Sequence, residues 1–297
     1  MAYTQLKPRH TPNARVEKID EIGRDSAHYR LSIPSGFSDS YRLAQLDDYA
    51  QFSRDRFPHH AALSFSLYAR TSSDSISGTW GFGLWNDPFG LSLGFGGNPF
   101  RLPTLPNAVW FFGASQENYL SFKNENRSGP RSETAVKAHL TSRPSAALRS
   151  AQGEAAGNGF LAQTFRSPRF HPLLILAGLA LPFSRKMARR LLGKVIIDDE
   201  VQLWSPTTSH QLQEQSLSVD PTQWHRYRLD WSLKRVSFEV DEAPVFESPV
   251  SPNPPLGLVI WIDNQYAAFT PEGKIGFGVL ENVEPAWLEV KEILINT

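Results

Sequence analysis

Ala61-Ala-Leu-Ser-Phe-Ser-Leu-Tyr-Ala-Arg70 puts Leu63, Phe65 and Leu67 on one side of an extended chain and Ser64 and Ser66 on the other. That period of two is the pattern of a half-buried strand. A Ser-rich turn over 71–78 follows. Then comes Thr79-Trp-Gly-Phe-Gly-Leu-Trp85, an aromatic strand interrupted by glycines. Glycine removes side chains from one face there, which fits close approach of a ligand or of another backbone. Asn86-Asp-Pro-Phe-Gly90 reads as a turn.

The same grammar recurs outward from this stretch. Ala108–Phe112 and 118–123 are further strands, and Trp224–Trp231 leads into Arg235–Phe246. The stretches 256–263, 273–280 and 286–295 complete the set, and no internal repeat is visible. Many short strands separated by turn signals predict an all-β sandwich or barrel.

Composition narrows the function classes. The 30 basic and 30 acidic side chains cancel. A neutral chain gives no support for a nucleic-acid partner, which needs a basic face. Aromatic residues make up 12 % and charged residues 20 %, the mix of a folded β protein. The absence of cysteine excludes a disulfide framework and a thiolate metal site. The first 20 residues are polar and lack the apolar core of a signal peptide, so a cytoplasmic location is expected.

Residues 1–40 read as an N-terminal arm with one or two short strands, and 41–297 as the sandwich, with a loop and helix insertion at about 124–200. Within the insertion, 124–160 is rich in Ser, Arg, Ala and Gly. Ser184 is a suitable N-cap, and Met187, Leu191 and Val195 recur at four-residue spacing, which predicts an amphipathic helix over 184–197. Seven Lys or Arg and no acid lie between Glu154 and Asp198. The apolar run 172–183 is too short to span a bilayer, which takes about 20 residues. With the basic helix, 172–197 suits either a cap on the sandwich or a peripheral membrane contact.

Trp224-His225-x-Tyr227-x-x-x-Trp231, followed by Val236 to Asp241, resembles the family 16 glycoside hydrolases. Gly78-Thr79-Trp80 running to Trp85, and the closing Leu288–Leu294 strand, are similar to other strands of that family. The resemblance covers about 45–113 and 223–296. It implies the concanavalin A-like jelly roll shared by lectins and glucanases: two stacked antiparallel sheets, the concave one holding the ligand cleft. The family's catalytic strand reads Glu-x-Asp-x-x-Glu and falls here on Ala108-Val-Trp-Phe-Phe-Gly113, where all three carboxylates are missing. Ordinary family hydrolysis is therefore not expected.

The candidate ligand residues are the aromatics Trp80, Trp85, Trp110 and Trp261, each of which could instead fill the core. Asn86, Asp87, Asp263 and Asn264 are candidates for orienting hydrogen bonds at a cleft rim. No catalytic residue is assigned and no cofactor is expected. The resemblance allows a structural calcium, with Glu289 at the position of an acidic ligand. The expected function is non-hydrolytic binding of a carbohydrate or small organic ligand. The alternatives are an enzyme in the same cleft, either glycan-acting with displaced acids or a cyclase or isomerase, and a peripheral membrane protein.

Overall fold

The computed structural model describes residues 6–19, 27–88, 104–118, 159–168, 191–192, 195–204, 219–269 and 275–297. In chain order the strands are β1 Lys7–His10, β2 Arg15–Ile19, β3 His28–Ile33, β4 Leu43–Asp47, β5 Leu63–Thr71 and β6 Thr79–Trp85. They continue with β7 Ala108–Ala114, β8 Gly159–Arg166, β9 Ile197–Trp204, β10 His225–Trp231 and β11 Val236–Val240. The last are β12 Ala243–Ser248, β13 Gly257–Asp263, β14 Gln265–Phe269, β15 Ile275–Val279 and β16 Ala286–Asn296.

Two seven-stranded sheets form a sandwich. The front sheet runs β1-β4-β13-β6-β7-β8-β9 and the back sheet β12-β11-β10-β5-β16-β3-β2. The pairings within both are antiparallel. A small hairpin, β14-β15, stands apart. The chain changes sheet on passing from β3 to β4, β4 to β5 and β5 to β6, so spatial neighbours are distant in sequence. β5, for instance, lies between β10 and β16. This is the jelly-roll sandwich that the strand pattern and the family resemblance predict.

The alternation of Leu63, Phe65 and Leu67 points into the space between the sheets. Opposite them stand Trp80, Phe82 and Leu84 of β6, Val109 and Phe111 of β7, and Leu258, Ile260 and Ile262 of β13. Tyr227 lies 5.0 Å from both Phe82 and Phe111, and Phe111 meets Phe238 edge-on at 5.2 Å. Each such side chain contributes roughly 1.5–3 kcal/mol by leaving water.

Three sequence expectations are corrected. The N-terminal arm holds three strands where one or two were expected: β1 is the edge of the front sheet, while β2 and β3 pair within the back sheet. Part of the expected insertion is sheet, because β8 and β9 extend the front sheet beyond β7. The expected helix over 184–197 stops short, since Ile197 begins β9. Of that helix only residues 191, 192, 195 and 196 precede the strand among the described residues; 191, 192 and 195 are helical, with Ile196 N–H bonded to Leu192 O at 2.8 Å. The rest of 172–197, and with it the membrane-contact expectation, lies outside the described residues, as do 119–123 of the expected strand. Among the described residues no helix is long and apolar enough to cross a membrane.

Candidate functional site

The front sheet carries a second apolar layer on the face turned away from the inter-sheet core. Strand register defines it row by row. One row runs Lys7, Asp47, Val259, Gly83, Trp110, Gln163, Glu200. The next runs Arg9, Gln45, Trp261, Gly81, Phe112, Leu161, Gln202. On one side of this pair Gly257, Trp85, Ala108 and Phe165 line up; on the other, Leu43, Asp263, Thr79 and Ala114. Aromatic residues occupy the middle of the sheet, with Lys7, Arg9, Gln45 and Asp47 at one end and Gln163, Glu200 and Gln202 at the other.

Glycine makes this layer flat. A Cβ on Gly81 would lie 2.8 Å from Trp261 Cη2, and one on Gly83 would lie 2.7 Å from Trp110 Cβ. A Cβ on Gly257 would meet the Tyr49 ring at 2.4 Å. The Trp261 indole and the Tyr49 phenol therefore lie down over bare backbone, and Gly83 lets β7 approach closely at Trp110. The space that the glycines open is filled by neighbouring aromatic side chains. Trp85 and Trp261 are parallel within 4°, centroids 6.1 Å apart, and Trp110 lies 5.5 Å from Trp261 and 5.3 Å from Phe112.

Polar chains orient the two buried indoles. Trp110 Nε1 donates to Gln163 Oε1 at 3.1 Å, and Gln163 Nε2 donates to Glu200 Oε2 at 2.7 Å. Trp261 Nε1 donates to Thr79 Oγ1 at 2.9 Å, and Thr79 Oγ1 donates to Asp263 Oδ1 at 2.8 Å. Asp263 also accepts from Tyr41 Oη at 3.2 Å and from the backbone N–H of Thr79 and Gln265. Burial pushes the Asp263 carboxyl up to about 6, with those hydrogen bonds opposing the shift. On the adjoining strand β4, Asp47 accepts from Gln45 Nε2 at 2.8 Å, and burial raises it as well.

Leu105, Val195 and Ile196 are buried in this layer, and Leu192 packs against it. The described end of the helical segment therefore covers the front sheet's outer face. Trp110 and Trp261 are only 3 % and 6 % exposed; Trp85 is half-buried.

The sequence-predicted residues divide sharply. Trp85, Trp110, Trp261 and Asp263 come together on this face. Trp80 does not. Its side chain points inward, lies over Gly113 and stacks on Phe160 at 4.8 Å, so it is core. Asn86 braces a loop: its Nδ2 donates to Leu105 O at 2.9 Å and its Oδ1 accepts from Asn107 N–H at 3.0 Å. Asp87 follows it near Tyr49, whose hydroxyl it helps hold above its usual range after burial has done most of the work. Asn264 is fully buried and bonded to the backbone of Ser40, Arg42 and Leu280. It is a staple between segments, not a rim group.

Glu289 is not free to hold calcium. Its two oxygens are taken by the guanidinium groups of Arg30 and Arg70, which repel a further cation. Among the described residues no group of three His, Asp or Glu could hold a metal ion. Sequence reading missed Tyr49, Phe112, Phe165, Thr79, Gln163 and Glu200. Phe112 was within reach, since it stands two residues from Trp110 on one strand and so shares its face.

No family model matches the chain, and no curated protein matches it. Solved structures with a similar course include a family 16 glycoside hydrolase of Bacteroides ovatus in complex with a mixed-linkage glucan product. It shares 9 % identity at a TM-score of 0.43, over 99 % of this chain and 96 % of that one. The β-glucanase of Bacillus licheniformis shares 9 % identity at 0.41, over 95 % and 93 %. The binding domain of botulinum neurotoxin DC, in complex with SialylT, shares 6 % at 0.39; this chain spans 43 % of its length. Values this low carry no argument about a site or an activity. What the fold and face define by themselves is an antiparallel jelly-roll sandwich with an aromatic layer outside its core.

Proposed function

We propose that the protein binds a carbohydrate or small organic ligand, without hydrolysing it, on the outer face of the front sheet. One observation carries this reading. Six aromatic side chains, Tyr49, Trp85, Trp110, Phe112, Phe165 and Trp261, form a cluster on a face that the inter-sheet core does not use. Of the six, Trp85 is half-buried and the other five are buried; an accessible indole stacks on sugar rings and other apolar faces, and polar groups at the margin fix orientation.

The absence of carboxylates from Ala108, Trp110 and Gly113, where the resemblance lays the family's catalytic acids, supports a non-hydrolytic role.

A second reading rests on Asp263 alone: a carboxyl buried beside aromatics and titrating near 6 suits a proton-transfer enzyme. The test is a titration followed by tryptophan fluorescence, using an oligosaccharide panel and a panel of apolar metabolites, with product analysis. Saturable quenching that Trp85→Ala weakens, with no product formed, is the expected result. Released reducing sugar would replace this reading with a glycosidase. Turnover of an apolar compound, abolished in Asp263→Asn, would establish the second.

A further inference from the structure

We infer a second site, on the outer face of the back sheet, for a tetrahedral oxyanion: sulfate or phosphate, free or carried as an ester. Register puts Arg30 of β3, Glu289 of β16 and Arg70 of β5 side by side across three adjacent strands. Arg30 gives Nε and Arg70 gives Nε to the two carboxylate oxygens at 2.8 Å each, with both Nη2 atoms alongside. Glu289 is 1 % exposed, so these bonds consume it. The arginines hold its carboxyl below the usual range against the effect of burial.

The cations are further fixed by aromatic rings. Arg30 lies 5.0 Å from the Trp287 centroid, and Arg70 lies 5.4 Å from Trp287 and 4.9 Å from Trp224. Lys291 Nζ lies 4.3 Å from the Trp224 centroid. The series Lys291–Trp224–Arg70–Trp287–Arg30 thus immobilises three cations around one spent carboxylate. Glu17, opposite Arg30 on β2, is 3.9 Å from Arg15 and half exposed.

Two features make this a donor array and not only a stabilised surface. The Arg30 and Arg70 side chains remain 40 % and 36 % exposed. Among the described residues no acceptor faces either Nη1 or Lys291 Nζ, while each arginine's other edge is occupied. A guanidinium held in one rotamer by stacking and by two contacts, Nε and Nη2, to one carboxylate oxygen loses little further freedom when it takes a second oxyanion. With Arg30, Arg70 and Lys291 against Glu289, and Glu17 opposed by Arg15, the field favours an anion, and the two guanidinium groups and Lys291 offer it N–H donors.

Nuclear magnetic resonance of the indole N–H signals, assigned with Trp224→Phe and Trp287→Phe, tests the site. Sodium sulfate and inorganic phosphate are titrated against sodium chloride at matched ionic strength. A sulfated disaccharide and a phosphate monoester distinguish free anion from ester. Saturable shifts of both indoles with sulfate or phosphate, and not with chloride, are expected. Lys291→Gln, which leaves the Glu289 pairs intact, should weaken binding roughly tenfold, the loss of one charge-assisted contact. Arg30→Lys keeps a cation for Glu289 and removes the fork, and should do the same. Shifts that follow ionic strength alone, or saturable shifts that neither variant alters, overturn the proposal. Trp85→Ala, on the other sheet, should leave the titration unchanged.

Discussion

Trp110 and Gln163 face each other across β7 and β8, indole Nε1 to amide Oε1 at 3.1 Å, and Gln163 is fully buried. The amide's other end reaches Glu200 on β9 at 2.7 Å. A single glutamine therefore connects the aromatic layer to the acidic edge of the front sheet. Gln163→Leu keeps the volume but leaves a buried indole N–H unpaired. The expected cost is about 1–3 kcal/mol, read from urea denaturation, with a changed Trp110 emission.

Gly81 is bare because Trp261 occupies the space above it. Gly81→Ala would put a Cβ 2.4 Å from Phe111 O and 2.8 Å from Trp261. The backbone oxygen cannot give way, so a loss of at least about 1–3 kcal/mol is expected in thermal or chemical unfolding. Gly276→Ala is the control. Its nearest contact is Tyr266 Cε2 at 3.4 Å, and its effect should stay within about 0.5 kcal/mol.

Asp263 gives a pH dependence of unusual sign. Its folded value, about 6, stands above the ordinary aspartate value of 3.8, so between those pH values the folded state binds more protons than the unfolded state. Its contribution to stability is thus present below about pH 4 and is lost as pH rises through 6. The difference between the two values corresponds to about 3 kcal/mol as an upper figure. Asp263→Asn retains an acceptor for Thr79 N–H and should flatten the stability profile between pH 4 and 6. An unchanged slope would locate the titration elsewhere.

Glu289 has the opposite sign. Its folded value is lowered, so its contribution is present above the ordinary glutamate range and fades as acid titrates it. Glu289→Gln strands two arginines that share one carboxylate. Because those arginines are partly in water, a cost of about 2 kcal/mol is expected, below that of a fully buried pair. Guanidinium-free denaturation at pH 7, repeated in high salt, measures it; salt should shrink the difference.

Strands that bury one face were legible. β5 alternates plainly, and Leu63, Phe65 and Leu67 are core. β8 was not legible. Phe160 and Ala162 enter the core while Leu161 and Phe165 enter the outer layer, so both faces are buried and alternation disappears. β9 was hidden for another reason: Ile197-Asp-Asp-Glu places three acids in succession at the start of an edge strand.

The sequence by itself determined the fold class, the absence of carboxylates on 108–113 and the presence of tryptophans on neighbouring strands. Only the tertiary structure decided which of those tryptophans serve the core and which serve the outer face. A period of two assigns residues to opposite sides of a strand without saying which side looks inward. Trp80 and Trp85 differ in that parity alone, and the packing of the back sheet on Phe82 and Phe111 settles it. The partnership of Arg30, Arg70 and Glu289 was equally out of reach, because it joins three strands separated by up to 259 residues of chain.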